Sequence, residues 1–295
     1  MDVSIIFVNY KSKDLTINVI KSVMEKTEGL EYEIFVVDNN SQDGSIEAVE
    51  KEFPNIKIIK NPINAGFGAA NNLAIKQAKG KYILCLNTDI ILINNAIKIM
   101  FDAMEKEENR NVAVCGGYLV DGSGNPVYSG GNFPSITNII WKMGLRNIFK
   151  KRYLKYCTSL RADEITNNEI DQIIGADIFF RKAVLDKVGA FDEDFFMYSE
   201  ETELCKRIKD AGYRIIFVPE AKMIHLEGKS TPDDLKKILT FKRSEMLYFK
   251  KHHPYKLIII KLLYSIIYLT GWLIMGNKTS KEILKVILER NYLYV

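Results

Sequence analysis

Three groups of acidic residues carry the chemistry this sequence could perform. Asp38 closes the apolar run Glu33-Ile-Phe-Val-Val-Asp38 and is followed by Asn39-Asn40-Ser41-Gln42-Asp43-Gly44-Ser45. An ionised carboxylate only accepts hydrogen bonds, so it suits a nucleobase N–H or a sugar hydroxyl. A plain polar strand-to-helix loop is the competing explanation. Asn87-Thr88-Asp89 follows the strongest apolar run, Tyr82-Ile-Leu-Cys-Leu86. A carboxylate there could hold Mg2+ or Mn2+, which favour oxygen ligands and bridge well to diphosphate oxygens. A helix cap would use the same aspartate. Glu200-Glu201-Thr202-Glu203 lies just beyond Phe195-Phe-Met-Tyr198. Acids at a helix start complement its dipole, but acids emerging from an apolar wall also acquire raised pKa values and serve as a base.

Two further features are polar without being acidic. Asn64-Ala-Gly66-Phe-Gly68-Ala-Ala-Asn71 opens a helix with two glycines, which permit close backbone approach to a ligand at a terminus of free N–H groups. A dinucleotide fingerprint belongs directly after the first strand. There the chain reads Asn9-Tyr-Lys-Ser-Lys-Asp14 without glycine, which argues against a dehydrogenase. His225 follows Pro219-Glu-Ala-Lys-Met-Ile224 and is chemically suited to a metal or diphosphate, though a lone histidine is more often structural. His252 and His253 lie beside lysines and read as a solvated basic patch.

The elements that must position these residues alternate. Ser4–Val8, Glu33–Asp38, Lys57–Ile59 and Tyr82–Leu86 read as buried strands, and Asp14–Lys26, Ser45–Glu52 and Ala69–Lys79 as helices between them. Alternation predicts right-handed crossovers and a mostly parallel sheet covered on both faces, with ligands beyond the carboxyl ends of the strands. Asp38 and Asn87–Asp89 stand at two such ends. Further on, Val112–Cys115, Ala176–Phe180 and Arg214–Val218 read as strands, Asp121–Pro126 as a turn, residues 132–168 as irregular, and Glu200–Ala211 as a helix.

The 295 residues, 47% apolar and 26% charged, have an ordinary globular composition. Charge is unevenly placed. From Lys229 to Val295, 13 Lys and Arg stand against 5 Asp and Glu, a net +8, which leaves −4 for the remainder of a chain whose total is +4. A basic, apolar tail on a mildly acidic body points to an anionic membrane surface rather than nucleic acid. Four scattered cysteines without CxxC spacing give neither a disulfide framework nor a zinc site, and the first apolar run is too short for a signal peptide. Thr231-Pro232-Asp233-Asp234 predicts a helix start. Residues 257–276 are apolar except for Lys261, flanked by Lys250, Lys251, Lys256, Lys278 and Lys281, long enough to span a bilayer or to lie in its plane. The in-plane or shallow-inserting arrangement is favoured, because tyrosines and a lysine interrupt the apolar face.

Taken in order, these motifs resemble family 2 inverting glycosyltransferases of the GT-A fold, from Val3 to about Pro254. The resemblance implies an α/β catalytic domain over 1–230, its donor half about 1–105 and acceptor half about 106–230, followed by a membrane-associating helical region over 231–295. It implies that Asp38 contacts the nucleobase, that Asn87-Thr88-Asp89 replaces the family's DxD motif, and that Asp89 holds the divalent metal with His225 assisting. Asn9, Asn40, Gly66, Asn71, Asn87 and Thr88 complete the nucleotide-sugar site. Glu200-Glu201 occupies the family's Glu-Asp pair, making Glu201 the general base and Glu200 the competing candidate. This chain departs by carrying Glu where Asp is usual. Ser129-Gly-Gly-Asn-Phe-Pro134, the Phe195–Arg207 stretch, and Arg243-Ser244 leading to Tyr248-Phe-Lys-Lys-His252 look like the rhamnosyltransferase branch. Such enzymes are similar in using dTDP-rhamnose and lipid-linked acceptors for cell-envelope glycans, and Arg243 and Tyr198 would face the acceptor or diphosphate. The expected setting is the cytoplasmic face of the cell membrane, with a homodimer as a further partner state.

Overall fold

The computed structural model describes residues 1–142, 150–226, 234–273 and 276–293. The first part of the chain runs β1 (Val3–Asn9), α1 (Lys13–Lys26), β2 (Tyr32–Asp38), α2 (Ser45–Glu52), β3 (Lys57–Lys60), α3 (Phe67–Ile75), β4 (Tyr82–Leu86), β5 (Ile90–Leu92) and α4 (Ala96–Glu105). The middle part continues with β6 (Val112–Val120), β7 (Tyr128–Gly131), α5 (Ile136–Lys142), α6 (Lys150–Leu154), β8 (Leu160–Arg161) and β9 (Gln172–Ile173). It closes with β10 (Asp177–Arg181), α7 (Lys182–Val188), α8 (Glu200–Asp210) and β11 (Arg214–His225). The tail adds α9 (Asp234–His252), α10 (Leu257–Leu273) and α11 (Lys278–Leu288).

Eight strands form one sheet in the order β3-β2-β1-β4-β10-β6-β11-β5. Pairings β1–β2, β1–β4, β2–β3 and β6–β11 are parallel, whereas β10 runs against both neighbours and β5 against β11. The sheet is thus mostly parallel, as expected, with its antiparallel pairings gathered at β10 and β5. Strands buried on both faces read as continuous apolar runs, which is how β1, β2 and β4 look in sequence. Alternate side chains then feed two cores. Ile5, Phe7, Val36 and Leu84 pack with Val19, Ile20 and Met100 from α1 and α4, while Ile6, Phe35, Val37 and Ile83 pack with Ala70, Ala74 and Leu204 from α3 and α8.

A third cluster joins the tail to the body. Met246, Leu247, Tyr248 and Phe249 of α9 pack with Phe195, Ile139, Ile260, Tyr264, Ile283 and Ile287. The predicted helix start at Thr231–Asp233 lies outside the described residues, and so do 274–275 of the apolar run. The phase of α10 overturns one expectation. Lys261 and Tyr264 do not interrupt the outer apolar face of this helix, because both point inward: the Lys261 ammonium donates to the Glu289 carbonyl at 2.8 Å and the Tyr264 hydroxyl to Glu245 at 2.7 Å.

Candidate active site

The residues singled out at strand ends gather on the sheet edge where β1, β2 and β4 terminate, and a chain of hydrogen bonds joins them. Asn9 ends β1 fully buried. Its two amide protons are shared among Asp38 Oδ1 at 2.9 Å, Ser41 Oγ at 2.8 Å and Ser45 Oγ at 2.7 Å. Its own Oδ1 accepts from Ser12 at 3.0 Å and Thr16 at 2.9 Å. With every polar atom engaged, Asn9 fixes the loop after β2 and leaves no group for a ligand. Asp38 keeps the opposite oxygen near the Ser41 N–H, at 3.3 Å, and lines a shallow cleft with Gln42–Glu47 and Lys60. Asp89 and Glu201 lie outside that lining. Hydrogen bonds run from Asp38 through Asn9 and Ser12 to Thr88, the neighbour of Asp89, whereas Glu201 reaches this edge by packing alone.

Thr88 continues the chain, its hydroxyl donating to Ser12 Oγ at 3.3 Å. Asp89 is next, nearly buried, with Oδ1 3.4 Å from His225 Nε2. The sequence separation of the two residues is closed by β5 and β11, which pair antiparallel and put His225 opposite Ile90. Two cis ligands of an octahedral ion with bonds of about 2.1 Å stand about 3 Å apart, so this pair suits one divalent cation. Among the described residues no third His, Cys, Asp or Glu joins them. Mg2+ and Mn2+ sites of this kind take their remaining ligands from substrate phosphates and water. The donor set therefore fits.

Glu201 reaches the same edge from α8. A Cβ at Gly175 would meet the Glu201 carboxyl carbon at 3.8 Å, and the next carbonyl, Ala176, accepts from the Asn87 N–H at 2.9 Å. Burial pushes the Glu201 carboxyl up to about 7, against the backbone N–H groups of Glu201 and Thr202 that stabilise its anion. Glu200 turns into the protein. Burial and the neighbouring Glu201 hold it well above the usual carboxylate range, and its Oε2 has no hydrogen-bond partner. Of the pair, Glu201 is the one that reaches the sheet edge, and burial favours the protonated form of Glu200.

The burial of Glu200 makes stability depend on pH. Its folded-state pKa lies above the unfolded one, so its contribution is fully present below the unfolded value near 4.5 and is lost as pH rises toward the folded value. Glu200→Gln mimics the protonated form. Thermal melts should place the variant within a degree or so of wild type at acid pH and a few degrees above it at alkaline pH. A variant less stable at alkaline pH would contradict a neutral Glu200.

Gly66 lies against the backbone of Phe196, and the Phe67 N–H donates to the Phe196 carbonyl at 3.0 Å. Asn71 is buried and its amide donates to Phe67 O at 3.0 Å, with its own carbonyl oxygen unpartnered. Asn40 accepts from Gln42 at 2.9 Å. Tyr198 stands edge-on to Phe241 of α9, whereas Arg243 pairs with Glu289 of the tail at 2.8 Å. Among the described residues, the non-glycine positions with φ in the left-handed region are Lys11, Asn40, Gln42, Tyr198 and Ser199. All stand in loops bordering this edge, where stored backbone strain commonly marks a working site.

Two buried organisers have no counterpart among the residues expected from sequence. Asn39 donates to Asn64 and to the Gly66 carbonyl and accepts from Asn61 and the Ala65 N–H, clamping the β2 loop to the start of α3. Asp177 is fully buried on β10, one oxygen taking the Gly117 N–H at 2.5 Å and the other unpartnered. Burial raises its carboxyl to about 7, with the Gly117 N–H and nearby His225 holding it down. A charged residue inside the run Ala176-Asp-Ile-Phe-Phe180 is the signal that the sequence offers for it.

Known proteins share this architecture. The sequence matches Glycosyl transferase family 2 over residues 4–189 and Glycosyl transferase family group 2 over 156–243. It is 24% identical to the Mycobacterium tuberculosis N-acetylglucosaminyl-diphospho-decaprenol L-rhamnosyltransferase over 216 residues, 68% of each chain. It is 29% identical to rhamnosyltransferase WbbL of Escherichia coli over 167 residues, 54% of this chain and 60% of that one. The fold resembles that of the Pyrobaculum calidifontis mannosyltransferase PcManGT, solved with GDP-Man and Mn2+, at a TM-score of 0.58 and 14% identity, covering 97% of this chain and 83% of the other. GalNAc-T7, solved with UDP, GalNAc and Mn2+, superposes at 0.59 with 14% identity, covering 98% of this chain and 56% of its own.

Proposed function

Because the chain belongs to Glycosyl transferase family 2, we propose that it moves a sugar, with inversion, from a nucleoside-diphosphate donor to an acceptor hydroxyl. The donor sugar is rhamnose carried on dTDP, and the acceptor is a lipid-linked or polysaccharide glycan of the cell envelope, met at the cytoplasmic face of the membrane. The rhamnosyltransferase relatives support that choice of donor. The observation that carries the transfer chemistry is the place of Glu201, a carboxyl packed against Gly175 and pushed by burial up to about 7.

In this mechanism Asp38 accepts from the nucleobase, and Asp89 with His225 would hold a divalent cation. Such an ion, when bound, offsets charge developing on the leaving diphosphate. Glu201 takes the proton of the acceptor hydroxyl as that oxygen bonds to the anomeric carbon. The bond from that carbon to the diphosphate oxygen breaks, and its electron pair leaves with the nucleotide. Attack from the face opposite the diphosphate inverts the anomeric centre.

Asp89→Ala should weaken donor binding in Mn2+ roughly tenfold or more, by the scale of metal-site mutations. It should also abolish the difference that EDTA makes to the wild-type protein. Calorimetry that found wild-type donor affinity indifferent to EDTA would remove the cation. A donor panel read by released nucleotide tests substrate choice, since turnover of dTDP-rhamnose yields dTDP. Turnover confined to UDP-hexose or UDP-N-acetylhexosamine would replace rhamnose with that donor. Tight nucleotide binding without turnover of any donor would make the chain a binding protein.

A further inference from the structure

We infer that α10 lies in the plane of an anionic lipid surface as a shallow docking face, and that it does not cross the bilayer. This rests on the reading of the chain as a membrane-bound transferase, and it states how the chain is bound. By length and composition alone the helix is ambiguous, since Pro254–Leu273 spans 20 mostly apolar residues, long enough to cross a membrane.

The two sides of α10 differ. Ile258, Ile259, Leu262, Ile266, Leu269, Thr270 and Leu273 are its exposed residues. At about 100° per residue they fall within an arc of about 120°. Every one but Thr270 is aliphatic, so the solvent-facing stripe is apolar and continuous. The opposite arc is committed to protein. Ile260 and Tyr264 are buried, and Tyr264 donates to Glu245, which also pairs with the buried Lys242. Lys261 donates to the Glu289 carbonyl.

A spanning helix is incompatible with the position of α11. Crossing would carry α11 to the far side of the bilayer. The structure instead folds α11 back onto α9 and α10: Ile283 and Ile287 join the α9 cluster, Arg243 of α9 binds Glu289 at 2.8 Å, and Lys250 reaches the Arg290 carbonyl. Both ends of α10 are thus on the side of the catalytic body. A helix with one apolar face, one packed face and basic flanks has the chemistry of an interfacial element. Lys256, Lys278 and Lys281 are exposed at its two ends, and the +8 tail matches a negative surface rather than a neutral one.

The test uses the full chain and phospholipid vesicles with and without phosphatidylglycerol. Fluorophores attached at Ile258→Cys, Ile266→Cys and Leu273→Cys are read against lipid-borne quenchers, with labelled wild type as background because its four cysteines are buried. Quenching at one shallow depth for all three positions, on anionic vesicles only, is the expected result. A middle position deeper than both ends would mean a span and overturn the inference. The double variant Ile258→Asp, Ile266→Asp should lose vesicle affinity roughly tenfold or more, since each aliphatic side chain contributes about that much on leaving water. Its donor binding, measured by calorimetry, should be unchanged. Wild-type protein that ignores vesicles but dimerises through this face, with the double variant monomeric, would assign the stripe to a second copy. Donor binding and vesicle binding are separate readouts, so a failed donor assignment leaves the docking result standing.

Discussion

Glu201→Gln should yield a protein that folds and binds nucleotide but has lost transfer. The substitution keeps the size of the side chain and its place beside Gly175 but removes the lone-pair basicity that accepts the hydroxyl proton. General-base contributions of this kind are worth about 10²–10⁴ in rate, and the loss should fall on kcat with nucleotide affinity nearly unchanged. The pH dependence gives a second, independent signature. A base acts deprotonated, so wild-type kcat/KM should rise with pH and level off above an apparent value near 7, where burial has placed the Glu201 carboxyl. The residual activity of the variant should lack that limb. Glu200→Gln is the matching control. Glu200 is held neutral, so removing its ionisation should spare most of the turnover and retain the acid limb. Unchanged turnover in Glu201→Gln would remove Glu201 from the mechanism, and a lost limb in Glu200→Gln would transfer the role to its neighbour.

How much of this is legible in the chain differs from residue to residue. β1, β2 and β4 are readable because strands buried on both sides need unbroken apolar runs, and the polar residues that close them mark the ligand edge. Asp38 and Asp89 stand at such ends. The pairing of Asp89 with His225 is not available from spacing, since it depends on β5 and on the extension of β11 to His225, and the short Ile90–Leu92 run merges into its surroundings. Asn9 is recognisable at a strand end, but nothing in the sequence says that Ser12, Thr16, Ser41 and Ser45 would consume all its hydrogen bonds. The tail misleads for a similar reason. A lysine in an apolar run looks like an interruption until the helix phase is known, and the phase of α10 turns Lys261 inward to a backbone carbonyl. Linear patterns give the period of an element. Which arc faces the protein is fixed by partners distant in sequence, here Glu245 and Glu289.

Gly66→Ala is the most damaging single methyl group to add to this site, and two effects can be separated. Gly66 has φ +88° and ψ 179°, a region that only glycine occupies routinely, at a cost of about 1–3 kcal/mol for any other residue. The added Cβ would also stand 2.8 Å from Phe196 Cα and overlap the Phe196 carbonyl oxygen, the group that accepts the first N–H of α3. Backbone cannot swing aside as a flexible side chain does, so one of the two segments must move. The Phe196 segment leads into Tyr198, Ser199 and Glu201, and misplacing a catalytic group by about 1 Å costs on the order of 100-fold in rate. Gly44→Ala is a milder reference, because Gly44 sits in the left-handed helical region (φ +73°, ψ 12°), which other residues do visit, and its Cβ would meet nothing within 4 Å. That variant should lose about 1–2 kcal/mol. Gly66→Ala should lose roughly 3 kcal/mol or more, a drop in Tm of about 6–12 °C, together with most of its transfer activity. Gly68→Ala should fall between them, because its Cβ would press on the Phe191 side chain at 2.9 Å with no backbone clash. Equal melting temperatures for Gly44→Ala and Gly66→Ala would mean that the Phe196 contact is slack. The fold would then have another means of holding Glu201 at the edge of the sheet.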